Sequence, residues 1–421
     1  MNATSESIFR TNSSGQAFTP TVNYLGAVNA LAVMEIIRIL GPISRADLAR
    51  RSQFKPAALT GLVRYLIEEG LVIEGSERRP VTSSGRPARL LRVNSGSRTV
   101  LGIDIEPDHL RIAVADLSGA ILNYRQTVCD RQQDPEATFR LIDSLSREMG
   151  IKPGSIVGVG VSCAGFLDEQ NGVLLGSTNL PKWQNVPVRQ NLENLFGVPV
   201  QVGRSIHQAA WAEHWFRDKT EYGKVLTVTL RTGVGFALLD NGTVYQGHDH
   251  YDGELGHTLI DINGSLCECG RRGCLETFLS PASITRRVKT LVEKGKAGGL
   301  KPLLAAGLEI DPELVYRMAR DGDVDCLSIV NDLIHYLGFG IGNLVNLLNP
   351  SSVVLCGAIE IVNEELLETL RTEIQKQCLP QSWRGLTVRL SKHAERSALL
   401  GAAVRATQYY VNSVVQSDIA A

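Results

Sequence analysis

Apolar positions recur at helical spacing over 28–40 (Val28, Leu31, Ala32, Ile36, Ile39, Leu40), and Gly41-Pro42 ends the run as a helix stop should. This predicts a first helix. Ser44, with Asp47 three residues on, is a good N-cap for a short second helix closing near Ser52. Pro56 suits the first position of a third helix that carries Leu59, Leu62, Val63 and Leu66 to a stop at Gly70. Leu71-Val72-Ile73 then reads as a strand, 75–87 is polar and basic, and Leu90-Leu91-Arg92-Val93 reads as the returning strand. Three short helices and a hairpin make a winged helix-turn-helix pattern. In such a unit the third helix offers its first turns to the major groove of DNA. Lys55, Ala58, Thr60 and Arg64 are therefore candidates for contact with bases or phosphates, and Arg78, Arg79 and Arg86 in the hairpin are candidates for the phosphate backbone.

Beyond Ser95-Gly96-Ser97 the pattern changes. Strands over 99–105 and 110–116, a turn at 117–120 and a third strand from Ile121 open an α/β unit as a meander. A helix over 135–149 follows, then a strand over 156–162 running into Ala164-Gly165, where a ligand could approach the backbone. The design repeats later: a strand over 226–230 leads through Thr232-Gly233-Val234-Gly235 to another over 236–239, so two similar lobes are expected. Helices over 313–320 and 324–348, a strand over 352–355 and a final helix over 394–411 complete the reading. Gly338, Gly340 and Gly342 leave room for a close neighbour on the long helix.

Composition narrows the class. With 43% hydrophobic and 21% charged residues the chain has enough apolar side chains for a packed core, which excludes a disordered or collagenous protein. The best early candidate for a membrane span, 31–40, is interrupted by Glu35 and Arg38, and no signal pattern precedes it. A cytoplasmic protein without membrane spans is expected, with 1–20, rich in Ser, Thr and Asn, as a frayed, disordered arm. Charge is unevenly distributed: the first 98 residues hold 13 basic and 7 acidic side chains, the remainder 30 and 37. A basic head on an acidic body suits a polyanion at one end only.

The densest chemistry lies between 247 and 276. Gly253-Glu254-Leu255-Gly256-His257 is followed by Cys267-Glu268-Cys269-Gly270-Arg271-Arg272-Gly273-Cys274-Leu275-Glu276. Three thiolates and one imidazole, His257, Cys267, Cys269 and Cys274, match a closed tetrahedral Zn2+ site with no position left for a catalytic water, so the ion would be structural. Gly270 and Gly273 let the chain wrap it, and the ion would bring Glu254 and Glu276 to one cleft. The other cysteines read as small buried apolar groups. His248 and His250 are left open between solvent-facing and ligand-contacting roles.

This stretch resembles the signature of the ROK family (repressors, open reading frames and sugar kinases). Ser83-Ser84-Gly85-Arg86-Pro87 is similar to the element that ends the winged helix in one branch of it. From about Val22 onward the chain resembles the family's transcriptional regulators of the NagC/Mlc or xylose-repressor type. The resemblance implies a winged helix-turn-helix over 21–95 followed by a two-lobed actin-like, hexokinase-type α/β fold. The first lobe would take 96–205 with 395–415, and the second, with the zinc site and sugar cleft, 206–394. It also implies operator DNA and a sugar or sugar phosphate as ligands, and a homodimer or homotetramer. The family's sugar-contacting positions fall on Gly165, Asn179, Glu254, His257 and Glu276.

Where kinases of this family carry an Asn-Asp pair whose Asp deprotonates the sugar, this chain has Arg204 and Ser205, and an unaided serine cannot replace a carboxylate in that step. No catalytic residue is expected. The first phosphate loop is altered to Asp104-Ile105-Glu106-Pro107-Asp108, adding negative charge and a proline where glycines cradle phosphate. The second loop, Arg231-Thr232-Gly233-Val234-Gly235, keeps two glycines but has Arg231 ahead of them, so that loop could still hold a phosphate, including one on the ligand. The alternatives are a ROK sugar kinase with an appended DNA-binding domain, or a regulator controlled by a protein partner such as a phosphotransferase-system component.

Overall fold

A computed structural model describes residues 22–75, 89–130, 132–152, 154–217, 223–231, 233–240, 242–307, 310–357 and 364–420. The expected arm 1–20, the wing arginines Arg78, Arg79 and Arg86, and the 83–87 element lie outside the described residues. The head comprises α1 (Val22–Leu40), β1 (Ile43–Ser44), α2 (Arg45–Arg51), α3 (Pro56–Glu68), β2 (Val72–Gly75) and β3 (Leu90–Val93). Its strands form a sheet in the order β1-β3-β2, with β3 antiparallel to both neighbours. The Ser44 hydroxyl caps α2 by accepting from the Asp47 N–H, and Pro56 opens α3 where its missing N–H costs nothing. On α3, Leu59, Val63 and Leu66 are buried while Lys55, Ala58, Thr60 and Arg64 are exposed. Helical spacing has thus split the segment into a core face and a free face.

The body holds two five-stranded sheets of the same design. The first is built from β4 (Thr99–Ile105), β5 (His109–Asp116), β6 (Ile121–Val128), β7 (Val159–Cys163) and β10 (Val200–Arg204). Between them lie α4 (Pro135–Glu148), the small ribbon β8 (Phe166–Asp168) with β9 (Val173–Gly176), and α5 (Val188–Phe196). Helix α6 (Ser205–Phe216) leaves the end of β10. The second sheet contains β11 (Lys224–Leu230), β12 (Val234–Asp240), β13 (Thr243–Val244), β14 (Ser352–Gly357) and β15 (Thr387–Leu390). Around it lie α7 (Glu276–Leu279), α8 (Pro281–Glu293), α9 (Lys301–Ala305), α10 (Pro312–Arg320), α11 (Val324–Leu348), α12 (Glu364–Gln377) and α13 (Pro380–Trp383), and the chain closes on α14 (Ser397–Ala420).

The orders β6-β5-β4-β7-β10 and β13-β12-β11-β14-β15 correspond strand for strand: an antiparallel meander, then two parallel additions beside its first strand. The two glycine-ended meanders of the sequence are therefore one topology used twice. By length and composition α11 is apolar enough to cross a membrane, yet half of its most apolar window is buried, among α10, α12 and the second sheet. Its glycines serve that packing: a Cβ on Gly338 would lie 2.6 Å from the Cβ of Glu373, and one on Gly342 would lie 2.5 Å from that of Gln377.

Helix α14 runs nine residues past the end expected from the sequence, and α1 begins six residues earlier. The two additions meet. Val411 and Val415 of α14 and Leu117 from the β5–β6 turn are buried in the same core as Val33, Ile37 and Leu66 of the head, and the Tyr65 hydroxyl donates to the Val414 carbonyl at 3.4 Å. Further back, α14 crosses the first sheet and α6 at very short range. Gly401 lies against the Gln208 carbonyl of α6, and a Cβ there would stand 1.7 Å from that oxygen. Gly401→Ala must push the two helices apart. We expect a stability loss of about 1–3 kcal/mol, read as a lower urea midpoint; an unchanged midpoint with the same slope would contradict the close contact.

Candidate ligand cleft and metal centre

Each sequence-derived cleft residue occupies the end of an element. Gly165 follows β7 with φ +137°, a conformation a side chain rarely adopts, and a Cβ there would meet the Gly176 carbonyl at 2.5 Å. Asn179 lies between β9 and α5, Arg204 and Ser205 join β10 to α6, Arg231 and Gly233 form the β11–β12 turn, and Glu276 opens α7. The structure brings Gly165, Asn179, Glu254, His257 and Glu276 into one cleft, together with Glu106, Arg204, Ser205 and Arg231. Gly233 keeps the floor open: a Cβ on it would sit 3.0 Å from Glu276 Oε2 and 3.7 Å from Asn179 Nδ2.

Both cleft arginines are engaged internally. Arg204 is buried; its Nε donates to the Gly165 carbonyl (3.2 Å), Nη1 to the carbonyls of His250 (2.9 Å) and Asp252, and Nη2 to Glu254 Oε1. Arg231 Nη1 is paired with Asp104 Oδ2 (2.9 Å) and Glu106 Oε1 (3.0 Å), and its Nη2 donates to the Glu395 carbonyl. Asp104 is also paired with Arg111 at 3.4 Å. Burial pushes the Glu106 carboxyl up to about 7; Arg231 opposes that rise and Asp104 adds to it. The second loop could still hold a phosphate on the sequence alone, but its one cation, Arg231, is already paired with Asp104 and Glu106 of the first phosphate loop.

His257 faces two ways. Nδ1 lies 3.6 Å from Cys267 Sγ, and Nε2 lies 4.0 Å from Glu254 Oε2. Cys269 Sγ and Cys274 Sγ are 3.7 Å apart, and the four ligand atoms lie within 4.8 Å of one another. A tetrahedral ion with metal–sulfur bonds of about 2.3 Å and a metal–nitrogen bond of about 2.0 Å has edges of roughly 3.6–3.8 Å. Both short separations match, so the cluster could hold a metal ion. Gly270 and Gly273 turn the loop at φ +85° and +72°, and Leu275 N–H donates to the Thr258 carbonyl (2.9 Å), tying the cysteine loop to the His257 segment. Burial raises the Cys269 thiol, but hydrogen bonds from the Arg271 backbone N–H and guanidinium, with those of the Cys267 and Cys274 thiols, together outweigh it and bring the thiol down to about 6, towards the thiolate a metal needs.

Sequence reasoning missed several neighbours. His207 on α6 is buried with Nε2 3.2 Å from Asp252 and Nδ1 3.6 Å from Glu169; burial opposes its protonation, but the two carboxylates raise its pKa overall. It pins the 247–257 loop to α6. Phe166 and Tyr251 meet edge to face at 5.6 Å, with Phe166 lining the cleft. Nothing local announces either group, because the partners are 45 and 85 residues apart in the chain. His248 is 98% exposed, which favours its solvent-facing reading, and His250 contributes its carbonyl to Arg204.

The ROK family model matches residues 100–409. The chain belongs to the ROK family. It is 28% identical over 381 residues to the xylose repressor of Caldicellulosiruptor bescii, covering 90% of this chain and 94% of that protein. Among solved structures, a ROK family transcriptional regulator described as a homologue of the Escherichia coli MLC protein matches with a TM-score of 0.78 at 26% identity, over 94% of this chain and 99% of that one. A ROK family glucokinase from Streptomyces griseus, solved with glucose and AMPPNP, matches with a TM-score of 0.64 at 25% identity over 74% of this chain and 99% of that one. The body is thus a ROK kinase-like pair of sheets behind a largely helical N-terminal region.

Because one loop carries the sulfur ligands and joins the segments bearing His257 and Glu276, losing a ligand should loosen both. Purified protein is expected to carry one tightly held metal ion per chain by elemental analysis. Cys274→Ser should lose it and melt several degrees lower; an unaltered metal content would remove Cys274 from the site.

Proposed function

We propose that this protein is a cytoplasmic, sugar-responsive transcriptional repressor, in which the head holds operator DNA and the body binds a carbohydrate without transforming it. On this reading residues 21–95 are the DNA-binding unit. Lys55 at the N-cap and Ala58, Thr60 and Arg64 on the exposed surface of α3 face the major groove, and Arg78, Arg79 and Arg86 serve as contacts to the phosphates. Gly165, Asn179, Glu254, His257 and Glu276 hold sugar hydroxyls, and Zn2+ bound by His257, Cys267, Cys269 and Cys274 fixes the cleft wall. The ion would supply rigidity alone: four protein ligands leave no open position for a substrate. Ser205 has no carboxylate's basicity, and Arg231 fills the nucleotide side of the cleft, so the chain is not a kinase. Two winged heads in a homodimer, or a tetramer built from such dimers, would address paired half-sites.

The observation that carries this reading is helix α6. Its first residue, Ser205, lines the cleft; its last turn is held by the head. The Arg38 guanidinium of α1 lies 3.9 Å over the Trp215 ring, donates to the Trp215 carbonyl at 2.8 Å, and is paired with Glu35 at 2.6 Å. A helix of 12 residues spans about 18 Å, so a ligand that shifts the start of α6 also shifts the surface under α1. Coupling requires that the ligand favour one of two arrangements of that joint, and by reciprocity DNA must then alter sugar affinity by the same factor.

Two outcomes follow. Lys55→Ala with Arg64→Ala should weaken binding to a DNA site recovered from a random library by roughly 10-fold or more at moderate salt, with a shallower salt dependence. Equal anisotropy titrations for variant and parent would exclude the α3 face. Arg38→Ala should leave DNA and sugar each able to bind alone, yet bring the ratio of sugar Kd with and without DNA towards one. A ratio equal to that of the parent would remove the joint from the pathway.

A further inference from the structure

The charges around the cleft narrow the ligand class. Among the described residues that line it, the guanidinium groups are Arg204 and Arg231, and each is committed: Arg204 to Glu254 and three backbone carbonyls, Arg231 to Asp104, Glu106 and the Glu395 carbonyl. The carboxylates outnumber them. Glu254 is balanced by Arg204, but among the described residues Glu276 has no guanidinium or ammonium partner; it accepts from the Val234 N–H and faces the Asn179 amide across Gly233. His257 does not add a cation there if its Nδ1 binds a metal, because a ligating imidazole is neutral.

The groove outside is no better suited to an anion. It shares Asn179 and Glu276 with the cleft, and its charged lining is Asp108, Asp130, Glu268 and Asp311 against Arg286 and Lys289. A phosphate ester entering from that side would leave water to meet excess carboxylate, with no unengaged guanidinium at the bottom. Hydroxyl groups fare differently. They donate to Glu276 and Glu254, accept from the Asn179 amide, and bring no charge that has to be matched.

We infer that the cleft takes an uncharged sugar and rejects its phosphate esters, the internal pairs of Arg204 and Arg231 having removed the cations that a phosphate would need. This rests on the carbohydrate-binding reading above and sharpens it. A sensor of this kind reports the free sugar, before any phosphorylation step has acted on it.

The test uses the intact protein with free pentoses, hexoses and N-acetylhexosamines, and with the phosphate monoesters of whichever sugar binds, by thermal shift and then isothermal titration. One free sugar is expected to bind, with its phosphate esters at least roughly 100-fold weaker. An ester that binds as tightly as the free sugar, or more tightly, overturns the inference and leaves carbohydrate sensing in place. If no sugar in either form binds, carbohydrate sensing itself fails. Glu276→Gln and Glu106→Gln check the cause, the first by removing the unbalanced carboxylate and the second by loosening the hold on Arg231. In each, the ratio of ester to free-sugar affinity should move towards one, and a general loss of binding cancels from that ratio. A ratio unmoved in both variants would show that charge does not set the discrimination.

Discussion

A guanidinium group cannot be buried alone, and two of them, side by side in one cleft, set the terms for everything around them. Arg231 draws in Asp104 and Glu106 from the end of β4, so the β11–β12 turn of the second sheet is tied to the first sheet through charge. Arg204 gathers the Gly165 turn, the His250 and Asp252 carbonyls and Glu254 from separate segments into one wall. Removing one partner from such a set leaves an uncompensated charge in a low-dielectric site, which is far costlier than never having built the pair. The body shares the ROK fold with sugar kinases, and here these internal pairs tie segments of its two sheets together.

The cysteine loop works on the same wall by other means. Its backbone is stitched to the segment after His257, and the imidazole shows one nitrogen to the sulfurs and the other to Glu254. A ligand-contacting residue oriented from behind by a second set of ligands loses little freedom on binding, because its orientation is already settled.

Much of this was legible in the chain itself. Periodicity gave the head helices, and the duplication showed as two sets of strands, each with a glycine-bearing turn at a strand end, Gly165 after β7 and Gly233 after β11. The Cys-x-Cys-Gly-x-x-Gly-Cys motif located the cluster of His257 and three cysteines that could hold a metal ion, and the cleft wall beside it. Helix α6 escaped for a physical reason. It is buried on nearly all sides, carrying Ala209, Ala210 and Ala212 beside His207, Gln208 and Glu213, so no polar face marks it as amphipathic. The second loop was read as able to hold a phosphate because the partners of Arg231 lie 127 and 125 residues away, and spacing along a chain does not show which distant carboxylate will pair with it. The extra turns of α14 were invisible because they are held by the head, whose position no local pattern encodes.

Those extra turns have an engineering consequence. Val415 in those turns and Val411 just before them complete the hydrophobic interior of a unit whose own sequence ended more than 300 residues earlier, so the head is not a detachable module. Anyone grafting this head onto another receptor would have to transplant the tail of α14 with it, or supply a substitute surface.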